Sequence, residues 1–110
     1  MRINQKPLSV NECWMGRRFK TKTYKDYEET MLYLLPKRLE IPEGKMTVKY
    51  LFGLSSKGAD VDNLVKPFTD ILQKKYGFDD RRIYRMEIEK VDVKKGAEFI
   101  DFELYEKDTD

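Results

Sequence analysis

Between Lys45 and Leu54 the chain reads KMTVKYLFGL. Met46, Val48, Tyr50, Phe52 and Leu54 occupy every second position, so they share one face of a strand. A lone strand can neither satisfy its main-chain groups nor bury five apolar side chains. It needs partner strands and a layer packed over that face. The segment RRIYRMEIEKVDV offers one partner, with Tyr84, Met86 and Ile88 on one side and a parity shift to Val91 and Val93 that predicts a bulge. After a hairpin turn at KKGA, EFIDFELYE turns Ile100, Phe102 and Leu104 inward and Asp101 and Glu103 outward. Residues 1–5 add a short edge strand, ended by the loop-forming Pro7, Ser9 and Asn11.

The covering layer is helical. Tyr24, Tyr27, Met31, Leu34 and Leu35 recur at helical spacing, which predicts a helix over about 24–38. Thr23 and Asp26 form a capping arrangement at its start, and Pro36 kinks it or ends it early. In ADVDNLVKPFTDIL, residues Leu64, Phe68, Ile71 and Leu72 make a second apolar stripe. Pro67 is tolerated only near a first turn, so this helix begins close to Asp62–Asn63. The order β–α–β–α–β–β predicts a mixed α/β fold, a mixed sheet with two helices on one face. The 110 residues fit a single domain spanning 1–110, of a size that gains from dimerising.

Composition narrows the chemistry. There is no histidine, which removes histidine triads, histidine metal ligands and imidazole acid–base catalysis. The single Cys13 has no disulfide partner and none of the spacing of a zinc site. Carboxylates, lysine and tyrosine remain, and aspartates hold hard cations such as Mg²⁺ without histidine. No apolar run is long enough to span a membrane, and MRINQKPLSV has no hydrophobic targeting core, so a cytoplasmic protein is expected. The net charge of +2 hides a basic stretch over 1–78 and an acidic one over 79–110. A basic region of this kind is either a solvated surface or a footprint for phosphates.

The acids at the start of the second helix raise the sharpest question. Asp62, Lys66 and Asp70 are spaced i, i+4, i+8 and form a polar ridge opposite the apolar stripe. The simplest account makes Asp62 or Asn63 the N-cap and lets Lys66 bridge Asp62 and Asp70, each pair worth only about 0.3–0.5 kcal/mol. That account leaves Asp60 unexplained, because carboxylates this close repel unless a cation lies between them. Asp79 and Asp80 form another acidic pair, at the handover from helix to strand. Folded back towards Asp60 and Asp62, Asp80 would complete a three-carboxylate Mg²⁺ site suited to phosphodiester hydrolysis.

DVDNLVKPFTDIL followed by GFDDRRI resembles the RusA family of Holliday junction resolvases, and PLSVN with the basic GRRFKTKTYKDY resembles the family's opening. The resemblance spans most of the chain. It implies a homodimer acting on four-way junction DNA, with Asp60, Asp62 and Asp80 binding Mg²⁺ (Mn²⁺ substituting) and Lys66 as an essential lysine. Asp70 then supports Lys66, and Asn63 orients the turn. Asp80 is preferred to Asp79 as the third ligand. Before Asp60, where the family is strongly basic, this chain has only Lys57. Arg17, Arg18, Lys20 and Lys22 are the expected DNA contacts, because junction binding neutralises many phosphates. Trp14 and Phe19 are expected in the core or a dimer contact in preference to stacking on bases.

The expected function is a Mg²⁺-dependent, structure-selective endonuclease that resolves four-way junctions by paired symmetric nicks in recombination and repair. The alternatives are a nuclease for other branched or flapped DNA, a non-catalytic DNA-binding module, and a protein-interaction domain without nucleic acid.

Overall fold

A computed structural model of the chain describes residues 1–17 and 19–107. Six strands and two α-helices follow one another: β1 (Arg2–Ile3), β2 (Trp14–Met15), β3 (Phe19–Lys20), α1 (Lys22–Leu34), β4 (Met46–Leu54), α2 (Val65–Tyr76), β5 (Ile83–Asp92) and β6 (Phe99–Glu106). The main sheet has the order β1-β6-β4-β5. β4 runs parallel to β5 and antiparallel to β6, and β6 runs antiparallel to β1, so the sheet is mixed as expected. The small β2–β3 hairpin stands apart from it.

The alternation in β4 has the predicted outcome. Met46, Val48, Tyr50, Phe52 and Leu54 are all buried, and the stripes of both helices meet them: Tyr24, Tyr27, Met31 and Leu35 from the first, Leu64, Phe68, Ile71 and Leu72 from the second. Phe68 is central, with its ring edge-on to Tyr50 at 5.1 Å and to Phe102 at 5.4 Å. Leu34, expected in the first stripe, is exposed.

Helix boundaries follow local chemistry. Thr21, not Thr23, caps α1 by accepting the Tyr24 N–H, and Asp26 instead pairs with Lys22. The helix stops at Leu34, short of the expected residue 38, because Leu35 precedes Pro36 and takes an extended conformation. A single turn of 3₁₀ helix, Val61–Leu64, leads into α2. Pro67 is the third residue of α2, where a main-chain N–H has no intrahelical partner to lose. Gly77 ends α2 in the left-handed region (φ +74°), where glycine carries no steric penalty.

Two expectations about the later strands are corrected. The turn at KKGA forms, with the Ala97 N–H bonded to the Lys94 carbonyl, but β5 and β6 do not pair with each other. β4 lies between them. Gly53 gives room at the end of that pairing: it lies opposite Phe99 at the start of β6, and a Cβ there would overlap the Phe99 ring. The bulge expected near Val91 is also absent. The irregularity in register falls at Tyr84, and pairing then runs unbroken from Thr47–Arg85 to Leu54–Asp92. Ile88 and Val91 thus lie on opposite faces, each half-buried. The parity change reflects two partly covered faces.

Candidate active site

Asp60 and Asp62 sit where extended chain turns into helix. Asp60 is the N-cap of the Val61–Leu64 turn by its main chain, its carbonyl accepting the Asn63 N–H, while its carboxylate makes no cap bond. Asn63 joins this turn through that main-chain N–H. The residue before Asp60 is held from outside, by a bond from Lys90 Nζ on β5 to the Ala59 carbonyl at 2.7 Å. At the second residue of α2, Lys66 Nζ lies 2.8 Å from Asp70 Oδ1 and 3.8 Å from Asp80 Oδ2. The simple account, with Lys66 bridging Asp62 and Asp70, therefore holds only for Asp70. The second acid facing Lys66 arrives from beyond the end of the helix.

Asp79 and Asp80 divide the work between them. Asp79 caps the turn Asp80–Arg82 by accepting the Arg81 N–H at 2.9 Å, and it pairs with the Arg81 guanidinium at 2.9 Å. Those contacts hold its carboxyl below the usual carboxylate range. Asp80, not engaged in that way, turns towards Lys66. Arg82 anchors the same turn to the carbonyls of Gly44 and Pro42.

Asp62, Lys66 and Asp80 line one open groove of about 360 Å³, whose apolar wall includes Val65, Ile83 and Met86. Asp60 does not line it. Among the described residues no three acidic side chains are already gathered around one point. The donor set still suits a hard cation in kind, because Asp62 and Asp80 bring carboxylate oxygens to the same groove and Asp60 stands two residues upstream. A larger concavity, of about 540 Å³, lies on the uncovered face of the sheet. Glu87, Glu89, Asp101 and Glu103 line it, and that charge repels phosphate.

The Lys66 ammonium is stabilised as a cation. Its hydrogen bond to Asp70 is the main reason its pKa stands above the ordinary lysine value, with the charges of Asp70 and Asp80 adding to it and partial burial opposing. A lysine held this way serves as a fixed positive charge, not as a base.

The expected DNA contacts fare differently. Arg17 and Lys57 are exposed, and Arg18 lies outside the described residues. Lys20 is drawn inward to Glu28 at 2.9 Å and lies over the Tyr24 ring. Lys22 pairs with Asp26. Trp14 is not in the core. It meets Tyr24 edge-on and remains 43% exposed, while Phe19 is 70% exposed on the facing strand of the hairpin.

Lys90 and Gln73 were missed in the sequence, although both hold this region together. Lys90 had one signal, since it occupies the inward parity of β5 after Met86 and Ile88, opposite Phe52. Gln73 had none, because the main-chain N–H it binds, that of Asp80, lies beyond the end of the helix, outside any helical spacing.

Residues 5–100 match the family model described as endodeoxyribonuclease RusA. No curated protein matches the chain. No helix among the described residues is long and apolar enough to cross a membrane.

Proposed function

The chain belongs to the RusA family of endodeoxyribonucleases, whose activity is Holliday junction resolution, and from that premise we propose that it is a cytoplasmic, Mg²⁺-dependent homodimer that resolves four-way DNA junctions by paired symmetric nicks. The observation that carries this reading is the approach of Lys66, in the first turn of α2, to Asp80, beyond the helix's far end, in a groove shared with Asp62.

Asp62 and Asp80, with Asp60 beside them, would hold the cation. Bound there, Mg²⁺ supplies a Lewis acid for a phosphoryl oxygen and lowers the pKa of water. Lys66 keeps its proton and offers it to the charge that develops on the phosphate as the P–O bond breaks. Asp70 fixes the ammonium in place. Arg17 and Lys57 contribute to gripping phosphates, which positions the duplex arms without reading sequence. A four-way junction has approximate two-fold symmetry, so a C2 dimer with one groove per subunit delivers the two cuts. The exposed Trp14 and Phe19 then serve contacts made outside the subunit.

The test is cleavage of an end-labelled immobile four-way junction with Mg²⁺, with Mn²⁺ and with EDTA, alongside a simple fork. Symmetric paired nicks that require the metal, faster on the junction than on the fork, are expected. Binding without any nick in either metal would identify a non-catalytic module and overturn the proposal. Faster cutting of the fork would reassign the substrate.

A further inference from the structure

Where α2 ends, the chain has to come back on itself for Asp80 to face Lys66. Gln73 catches it twice. Its main-chain carbonyl accepts the Gly77 N–H at 2.8 Å, and its side-chain Oε1 accepts the Asp80 N–H at 2.9 Å. The other end of the same amide, Nε2, faces Asp70 Oδ1 at 3.3 Å, the oxygen that also accepts from Lys66, and lies 3.5 Å from the Thr69 carbonyl. The orientation of the amide follows from its neighbours. A main-chain N–H requires an oxygen opposite it, and a carboxylate requires a donor. The contacts close a ring: Lys66 to Asp70, Asp70 to Gln73, Gln73 to the Asp80 main chain, and the Asp80 carboxylate back towards Lys66.

We infer that Gln73 is a positioning residue of this site, an amide that sets the Asp80 carboxylate against Lys66 by holding the Asp80 main chain and the Asp70 carboxylate at once. The inference rests on the assignment of Asp80 and Lys66 to the active groove. Few side chains fit the task. It calls for an acceptor and a donor on one planar head, at the end of a stem long enough to reach from α2 to the returning chain. A carboxylate at 73 would set a third negative charge against Asp70, and an aliphatic side chain would leave the Asp80 N–H and the Asp70 oxygen without this partner. Gln73 has no need to touch DNA or metal. It acts through the two acids that flank the lysine.

The experiment compares Gln73→Met, which keeps the stem and loses the amide, with Gln73→Ala, which loses both, in the full chain. Asp80→Asn is the control on the site itself. Three quantities are read: amide hydrogen exchange in the absence of metal, Mn²⁺ affinity by electron paramagnetic resonance, and single-turnover cleavage of bound junction. In Gln73→Met the Asp80 amide is expected to exchange at least tenfold faster while the Arg81 amide, capped by Asp79, is unchanged. Mn²⁺ affinity is expected to fall about tenfold, cleavage at low metal in proportion, and junction affinity to stay within twofold. Gln73→Ala should match it. Loss in Gln73→Ala alone would assign the effect to packing of the stem and overturn the inference, as would unchanged Asp80 exchange in Gln73→Met. If Asp80→Asn is inactive while Gln73→Met retains Mn²⁺ affinity and rate, the inference alone fails. If Asp80→Asn cuts at the wild-type rate, the site assignment fails with it.

Discussion

Lys90 donates to the Ala59 carbonyl at 2.7 Å, a bond that ties the latter part of β5 to the residue immediately before Asp60. The lead-in to the first carboxylate pair is thereby fixed against the sheet. Lys90→Met keeps the stem and removes the donor. Cleavage is expected to fall about fivefold to tenfold, with a stability loss of about 1 kcal/mol by urea denaturation. A wild-type rate in the variant would separate the position of Asp60 from this bond.

Asp62→Asn removes a charge while keeping size and shape. On the proposed reading it lowers single-turnover cleavage by on the order of 10²-fold or more. Junction affinity should hold or improve, because a negative charge facing phosphates has gone. Gel-shift titration in EDTA and cleavage in Mg²⁺ measure the two effects separately, and cutting at the wild-type rate would remove Asp62 from the site.

The raised pKa of Lys66 makes a prediction with a definite sign. Its bond to Asp70 favours the protonated form, so the pair's contribution is present below the unfolded lysine value of about 10.4 and is lost as pH rises through the folded value. Because Asp70 is the leading cause, Asp70→Asn should lower the Lys66 titration midpoint, followed by NMR at Cε, more than Asp80→Asn does. The reverse order would mean that Asp80 is the principal partner.

Glu28 bridges two parts of the fold, accepting from Lys20 beside the hairpin and from Lys74 on α2, both at 2.9 Å. Burial pushes its carboxyl up, but the bonds from Lys20 and Lys74 outweigh that and hold it below the ordinary glutamate value. Its contribution is therefore present above the unfolded value of about 4.3 and lost as pH falls through the lower folded value. Glu28→Gln should cost about 1–2 kcal/mol at neutral pH, with the gap from wild type closing in acid. Denaturant midpoints across that range test it; a gap independent of pH would contradict it.

Gly53→Ala should destabilise by about 1–3 kcal/mol, since the added methyl meets the Phe99 ring where the start of β6 pairs with the end of β4. Thermal melting checks the loss. Gly53→Ala combined with Phe99→Leu should recover part of it.

What the sequence made legible was local or periodic. The alternation in β4 and the helical stripe from Leu64 to Leu72 announced their buried faces, and Pro67 bounded the start of α2, which falls at Val65 after a 3₁₀ turn and not at Asp62–Asn63. Asp62, Lys66 and Asp70 were placed by helical spacing, but spacing did not say which acid Lys66 would take. Asp70 faces it one helical turn on, whereas Asp80 faces it because Gly77 reverses the chain and Gln73 holds the return. Such bonds between side chain and distant main chain leave no periodic trace. The same limit accounts for the misplaced bulge and for the hairpin expected at KKGA, since register depends on which strand lies alongside. β4 came between two strands adjacent in sequence. Trp14 and Phe19 were expected in the core or a dimer contact on residue type alone, and their exposure removes only the first of these.

The strand order carries a consequence for biosynthesis. β4 leaves the ribosome well before either neighbour, and Ile3 of β1 must wait for Ile100 of β6. Contacts so remote along the chain make folding slow and late. The nascent polypeptide thus carries both helices and a bare apolar ribbon before its sheet can close, a period in which chaperone protection matters most. The groove that Asp62, Lys66 and Asp80 share is walled by Ile83 and Met86 of β5, so it cannot be finished until translation of the domain is well advanced.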